Sequence, residues 1–485
     1  MSPITRKERM GLPRTEMPER DPAERARGFE EVNLGFSTQM AVLEAQRCLL
    51  CPRPKCVDGC PVGVRIDEFV RHVAAGDFGA AAVTISADNS LPAICGRVCP
   101  QEKQCEGACV LTRKDRPIAI GHLERFVADF NRTHGVDSEA PSPEKTGKRV
   151  AVVGSGPAGL SCAFDLIRSG HEVTVFEALH ELGGVLVYGI PEYRLPKAIV
   201  VAEIDRLRDL GVKFVTNAPI GLAETLGDLL ESFHAIFVGV GAGLPVFLGV
   251  QGEHLVGVYS ANEFLTRVNL MRAYRSGAAT PVHEVKGKKV AVIGGGNTAI
   301  DAVRTALRLG AADASIVYRR TEAEMPARHE EIRHAREEGV RFEFLAAPVE
   351  FVGDSDGRLQ AMRVVRMEPA LPQEGARPRP LPIAGSEVDV PVDVVIVAAG
   401  NGPSPLLRKT SPDLMHDRGG TVQADSATGR TSMKGVFAGG DIVTGGATVI
   451  LAMGAGRRAA ASISEYLRTG QWEVEATQEA AGRIV

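Results

Sequence analysis

Eight of the nine cysteines in this chain fall in two clumps, Cys48, Cys51, Cys56 and Cys60, then Cys95, Cys99, Cys105 and Cys109. The first runs Cys-x2-Cys-x4-Cys-x3-Cys-Pro and the second Cys-x3-Cys-x5-Cys-x3-Cys. Thiolate is a soft ligand, and eight are enough for two iron–sulfur clusters at about four apiece. Electron transfer is therefore the first chemistry to expect. Two other readings stay open on residue types alone. Disulfides suit small secreted domains better than close clumps in a chain of 485 residues. Zinc takes thiolates well, but these spacings fit paired two-residue knuckles poorly.

Two glycine-rich turns follow. Lys148 to Gly154 (KRVAVVG) reads as a buried strand that Gly154-Ser-Gly156-Pro-Ala-Gly159 turns into a helix. Gly154 permits the tight turn, Gly156 lets a pyrophosphate approach the backbone, and Gly159 allows close helix–strand packing; the helix N-terminus favours phosphate charge. The next strand, His171 to Phe176, ends at Glu177, placed to accept hydrogen bonds from a ribose diol, and Gly184 is assigned to the same cofactor-binding set. The pattern recurs at Lys288 to Gly294 (KKVAVIG) with Gly294, Gly296 and Asn297 in the turn. Here the following strand, Ser315 to Tyr318, ends in Arg319 and Arg320. Guanidinium groups there would bind a 2′-phosphate that a carboxylate would repel, so NADP(H) is expected over NAD(H). The bland alternative is a solvated strand end.

Late in the chain, Val394 to Gly400 reads as a strand and Gly435 to Asp441 (GVFAGGD) as a strand entering a glycine turn. Asp441 beside Gly440 could hydrogen-bond flavin hydroxyls. Thr448 begins an apolar helix whose amide and dipole could stabilise negative charge on a reduced flavin ring.

These sites must sit on about three domains in an α/β chain. The expected division is a helical cysteine-bearing domain over 1–145, a domain around the first dinucleotide turn over 146–285 and 404–485, and an NADP(H)-binding domain inserted in it over 286–403. His134 to Lys148 reads as the linker between the first two. A net charge of −4 gives no reason to expect nucleic acid or an anionic membrane as main partner. Met1 to Gly28 lacks the apolar core of a secretory signal. The longest nearly apolar run, Phe237 to Val250, is too short to span a bilayer and reads as a buried strand and turn. A soluble cytoplasmic protein is expected.

Together with these turns, CGRVCP (Cys95 to Pro100), CEGAC (Cys105 to Cys109), IGHLERF (Ile120 to Phe126), YGIPEYRLPK (Tyr188 to Lys197), GGGNTAIDAVR (Gly294 to Arg304), YRR, EMPA (Glu324 to Ala327) and AGGDIVTG resemble the small subunit of NADPH-dependent glutamate synthase over nearly the whole chain. The module is similar to the N-terminal part of dihydropyrimidine dehydrogenase and to the large subunit of the bifurcating NADH-dependent ferredoxin:NADP oxidoreductase. The resemblance implies FAD at the first turn, NADPH at the second and two 4Fe-4S clusters. It implies Cys48, Cys51, Cys56 and Cys109 on one cluster and Cys60, Cys99 and Cys105 on the other, completed by Glu124, with Cys95 a bystander. The stretch MPERDPAERARGFEEVNLGF looks more like the stand-alone and bifurcating branches, so the partner stays open: a glutamate synthase large subunit or a small ferredoxin-reductase-like flavoprotein, with ferredoxin a further acceptor.

A flavin converts the two electrons of a hydride into the single electrons that clusters accept, so the expected order is NADPH, FAD, clusters, partner. No side-chain acid or base is required for the hydride step, and no catalytic residue is named. A flavin disulfide reductase needs a redox cysteine pair beside the flavin. No cysteine follows Cys162, which reads as a small core residue. Electron bifurcation and a non-enzymatic cluster-bearing adaptor are the competing functions; intact turns at both nucleotide sites argue against the second.

Overall fold

The computed structural model describes residues 5–472 apart from 115, 136–143, 276, 279–281, 283 and 370–379. Most of the linker expected over His134 to Lys148 lies outside the described residues. The N-terminal third is helical: α1 (Thr38–Gln46), α2 (Ile66–Ala75), α3 (Phe78–Asp88), α4 (Pro92–Val98) and α5 (Ile120–His134). Apolar spacing sets the buried faces. In α2, Ile66, Phe69, Val70 and Val73 recur at helical intervals and are all buried, and Gly76 ends the helix with φ +79°. Asp77 then caps α3 by accepting the amide of Ala80 at 2.9 Å. Ahead of these helices, a strap from Glu19 to Asn33 folds back on itself and donates the Val32 amide to the Tyr193 carbonyl at 3.0 Å.

The first sheet is parallel, in the order β16 (Val436–Ala438), β4 (Ala235–Val238), β1 (Arg149–Val153), β2 (Glu172–Phe176) and β3 (Lys213–Val215). Its central strands are continuous apolar runs because helices cover both faces. Helix α6 (Pro157–Arg168) packs across α11 (Val449–Thr469) so closely that a Cβ at Gly456 would lie 2.2 Å from the Ala158 carbonyl oxygen. Between them in sequence, α7 (Lys197–Asp209) runs back toward the helical domain, where Glu203 accepts the amide of Ala93 at 3.2 Å.

A second parallel sheet has the order β6 (Val258–Ser260), β14 (Val394–Val397), β7 (Lys289–Ile293), β8 (Asp313–Tyr318) and β9 (Arg341–Phe344), with α8 (Ala261–Asn269), α9 (Asn297–Arg308) and α10 (His329–Glu337) beside it. The two chain crossings into and out of this unit pair as an antiparallel ribbon, β5 (Leu244–Pro245) with β15 (Asn401–Gly402). The expected boundary at 285/286 is therefore corrected. Strand β6 pairs with β14 and belongs to the second sheet, so the insertion begins just after β5. The expected buried turn at the end of the Phe237 to Val250 run is also corrected: β4 is buried, but Phe247, beyond the ribbon, is 72% exposed. An antiparallel sheet of β10 (Ala346–Gly353), β11 (Leu359–Glu368), β12 (Leu381–Pro382) and β13 (Val388–Pro391) extends the inserted unit. Among the described residues no helix is long and apolar enough to cross a membrane.

Candidate functional site: two nucleotide turns and a cysteine-lined cap

The first turn is built for close approach. Gly154 has φ +101°, and a Cβ there would meet the Gly239 carbonyl oxygen at 2.6 Å; a Cβ at Gly159 would lie 1.9 Å from the Gly154 oxygen. Gly156 is open, with nothing within 4 Å of its Cβ position, which leaves room for a pyrophosphate at the start of α6. Glu177 does more than face outward from the end of β2. Its Oε2 accepts from the Ser155 amide at 3.0 Å and the Ser155 hydroxyl at 2.5 Å, and its Oε1 accepts from Leu179. The hydroxyl also receives the Gly183 amide at 3.0 Å, which draws Gly184, at φ +54°, to within 3.0 Å of the Gly156 backbone as measured from a Cβ position. One lone pair of Oε1 is left for a ribose hydroxyl.

From the far edge of the same sheet, Gly440 approaches α6 so closely that a Cβ would meet that of Ala158 at 2.9 Å. Asp441 follows it, its carboxyl raised by burial against one hydrogen bond from Ala447. Thr448 caps the 21-residue α11 by accepting the Leu451 amide. Gly154, Gly156, Gly184, Gly440 and Asp441 are thus gathered around the N-terminus of α6. The donors, open backbone and acceptors fit an FAD dinucleotide.

The second turn repeats the design. Gly294 has φ +144°, with a Cβ position 2.5 Å from the Ala398 oxygen, and Gly296 is open to 4.0 Å. Gly295 lies against the ring of Tyr318, which leaves no space for a side chain. Asn297, the first residue of α9, accepts the Arg328 amide at 3.0 Å. Arg319 is exposed and has no hydrogen bond or ion pair among the described residues, while Arg320 is half-buried near Glu324. An unpaired guanidinium at the end of β8 fits a phosphate ester on the adenosine ribose.

The cysteines converge on two places. Cys48, Cys51, Cys56 and Cys109 line one pocket together with Ile66 and Val70 of α2. Burial pushes Cys48 up to about 11 and Cys56 to about 12. Cys60, Cys99 and Cys105 all feel the charge of Glu124 on α5, whose carboxyl burial pushes up to about 7 against a 2.7 Å hydrogen bond from Asn89. Cys95 is also here: its thiol donates to Asn89 Oδ1 at 3.7 Å and lies 3.5 Å from the Met453 sulfur on α11. Among the described residues no three of these thiols lie within 4.8 Å of one another. Four thiolates around one zinc at about 2.3 Å would be closer than that. Wider spacing fits a cubane, in which each iron takes its own thiolate.

A family model described as pyridine nucleotide-disulphide oxidoreductase matches residues 148–456, and one described as dihydropyrimidine dehydrogenase domain II, 4Fe-4S cluster, matches residues 25–136. The glutamate synthase [NADPH] small chain of Halomonas elongata is 38% identical over 455 residues, covering 93% of this chain and 96% of that one. This chain belongs to the glutamate synthase small-chain family. It is an NADPH-dependent flavin oxidoreductase with a 4Fe-4S domain. The beta subunit of the NADP(+)-dependent formate dehydrogenase of Moorella thermoacetica is 37% identical over 438 residues, covering 86% of this chain and 60% of that subunit. Mycobacterium tuberculosis FprA, in a structure with NADPH, superposes with TM-score 0.55 at 18% identity over 66% of this chain and 85% of that one, a likeness of fold.

Several site-forming residues went unassigned in the sequence. Ser155 fastens Glu177, Tyr318 closes the second turn, and Lys103 and Arg328 reach between the cysteine cap and the nucleotide unit. Ser155 and Tyr318 lie inside quoted motifs, whereas the reach of Lys103 and Arg328 becomes visible only once distant segments meet.

Proposed function

We propose that this chain is the electron-input subunit of a larger redox complex, carrying electrons from NADPH through FAD and two 4Fe-4S clusters to a partner. The observation that carries the reading is adjacency. Met453 and Gly454 of α11, in the flavin unit, touch Cys95 and the Pro61 carbonyl next to Cys60. The cap that would hold the clusters is therefore packed directly on the helix whose N-terminus Thr448 caps.

In this reading Gly154, Gly156 and the amides of α6 hold the FAD pyrophosphate, Glu177 accepts from its ribose, Gly184 and Gly440 give its backbone clearance, and Asp441 accepts from its hydroxyls. Gly294, Gly296 and Asn297 hold the NADPH pyrophosphate, and Arg319 and Arg320 its 2′-phosphate. Cys48, Cys51, Cys56 and Cys109 would hold one cluster and Cys60, Cys99, Cys105 and Glu124 the other. When bound, the flavin supplies the conversion of a hydride into single electrons. The chain's own part is to bind, orient and exclude water, and no side-chain acid or base is assigned.

The favoured partner is the large subunit of glutamate synthase, which would form L-glutamate from L-glutamine and 2-oxoglutarate. The 38% identity to the Halomonas small chain over 455 residues supports it. The Moorella relative supports a second reading, an input module for another redox complex or for a bifurcating one that uses ferredoxin. Mass spectrometry of subunits that co-purify anaerobically from the native host separates the two. A large amidotransferase subunit carrying FMN establishes the first. A small flavoprotein or a dehydrogenase subunit in its place contradicts it.

A further inference from the structure

The loop between Cys99 and Cys105 is bonded to the second nucleotide turn through a short chain of contacts. Gln101, on that loop, donates to the Cys95 carbonyl at 3.3 Å and accepts Arg328 Nη2 at 2.9 Å. Arg328 Nη1 donates to the Arg97 carbonyl at 2.8 Å, and the backbone amide of the same Arg328 donates to Asn297 Oδ1 at 3.0 Å. Two further links run in parallel. Lys103 Nζ donates to the Pro326 carbonyl at 2.9 Å, and Glu102 accepts the His329 amide at 3.2 Å. On the nucleotide side the same segment fixes the turn again, since the Ala327 amide donates to the Gly295 carbonyl at 3.3 Å and Tyr318, packed on Gly295, donates to the Glu324 carbonyl at 3.0 Å.

Arg328 is 5% exposed, so its charge is held by these bonds and by Glu330 rather than by water. A buried guanidinium with such partners has one favourable position, and moving either loop strains the other. The turn that would hold the NADPH pyrophosphate and the loop that joins two cysteines of the inner group therefore shift together or not at all.

We propose that Arg328 is a positioning residue that links NADP(H) binding to the inner cysteine site, so that occupancy of the second nucleotide turn alters the cluster held by Cys60, Cys99 and Cys105. The link is reciprocal by thermodynamic necessity: whatever nucleotide binding does to the cluster loop, ordering of the cluster loop does to nucleotide affinity. This inference rests on the proposed function, in that it takes NADP(H) at the second turn and a cluster at the inner site.

The test uses the anaerobically purified, cluster-loaded protein with NADP+ as probe and two readouts, calorimetric affinity and the electron paramagnetic resonance spectrum of the dithionite-reduced clusters. In the unmodified protein NADP+ should change the line shape of one cluster and leave the other unaltered. Arg328→Gln should weaken NADP+ about tenfold and abolish that spectral response, and Arg328→Lys should restore part of each. Gln101→Leu, which leaves every nucleotide-unit residue in place, should also weaken NADP+ and blunt the response, and it serves if Arg328→Gln fails to fold. A wild-type spectrum indifferent to bound NADP+, or an Arg328→Gln or Gln101→Leu protein with wild-type affinity and response, overturns the link while leaving the electron-input reading intact. A wild-type protein with cluster signals but no NADP+ binding overturns that reading, and the link with it.

Discussion

Glu177 Oε2 accepts two hydrogen bonds from Ser155, one from the amide at 3.0 Å and one from the hydroxyl at 2.5 Å. The carboxylate at the end of the second strand is thus also the clasp of the phosphate turn. Ser155→Ala removes the hydroxyl bond and the Gly183 contact while leaving the turn's glycines in place. It should weaken FAD by on the order of tenfold, as expected for one charge-assisted hydrogen bond. Glu177→Ala removes the clasp and the ribose acceptor and should yield protein largely stripped of FAD. Flavin absorbance per chain after gel filtration measures both, and full retention in Glu177→Ala contradicts the assignment.

Arg319 and Arg320 are tested by cofactor choice. Replacing both by Gln should raise the KM for NADPH at least tenfold and leave that for NADH within about twofold, because only NADPH carries the phosphate that the guanidinium groups would meet. Steady-state rates with each nucleotide decide it, and an equal loss for both removes the 2′-phosphate role.

Much of this site is legible in the chain alone, for a physical reason. Gly154, Gly159 and Gly294 are demanded by local backbone geometry, and the strands on either side are short apolar runs. Strand β6 escapes such reading because Val258 to Ser260 is three residues long and only its pairing with β14 makes it a strand. The antiparallel sheet of the inserted unit has no glycine fingerprint to mark it. Least legible are the bonds between distant segments: Arg25 of the strap bonds Glu338 at a separation of 313 residues, and no pattern near either residue announces the other.

That strap contact belongs to a buried charge cluster with its own pH signature. Burial opposes ionisation of Glu338, but hydrogen bonds from Arg304 and Arg308 outweigh it and hold the carboxyl at about 2, below its ordinary 4.5. A carboxyl depressed on folding contributes stability that is fully present above pH 4.5 and is lost as pH falls from there toward 2. The contribution is on the order of 3 kcal/mol. Glu338→Gln should therefore be clearly destabilised at pH 7, and the gap to wild type should shrink at pH 3. Urea unfolding followed by far-ultraviolet circular dichroism at both values gives the comparison, and a gap independent of pH contradicts the ion-pair account.

Cys95 and Glu124 are both buried and both act electrostatically on Cys99, and in the proposed assignment Glu124, not Cys95, completes the inner site. Cys95→Ala should keep about eight irons per chain, as expected of two four-iron clusters. Glu124→Ala should change the spectrum of one cluster or lose it, and Cys99→Ala should lose that cluster outright. Iron analysis with low-temperature spectra of the three variants distinguishes the ligands. The reverse outcome, with Cys95 essential and Glu124 silent, would reassign the site.

The proposed route requires that electrons entering from NADPH reach the iron–sulfur clusters of this same chain. Its most direct measurement is an anaerobic titration of the purified protein with NADPH, followed by flavin absorbance and by electron paramagnetic resonance of samples frozen at each step. Flavin should bleach with NADPH well ahead of NADH, and spin signals of a reduced 4Fe-4S cluster should appear with the nucleotide and grow when a strong reductant is added. Flavin that bleaches with NADPH while a cluster spin signal appears only with the strong reductant, or not at all, would contradict it.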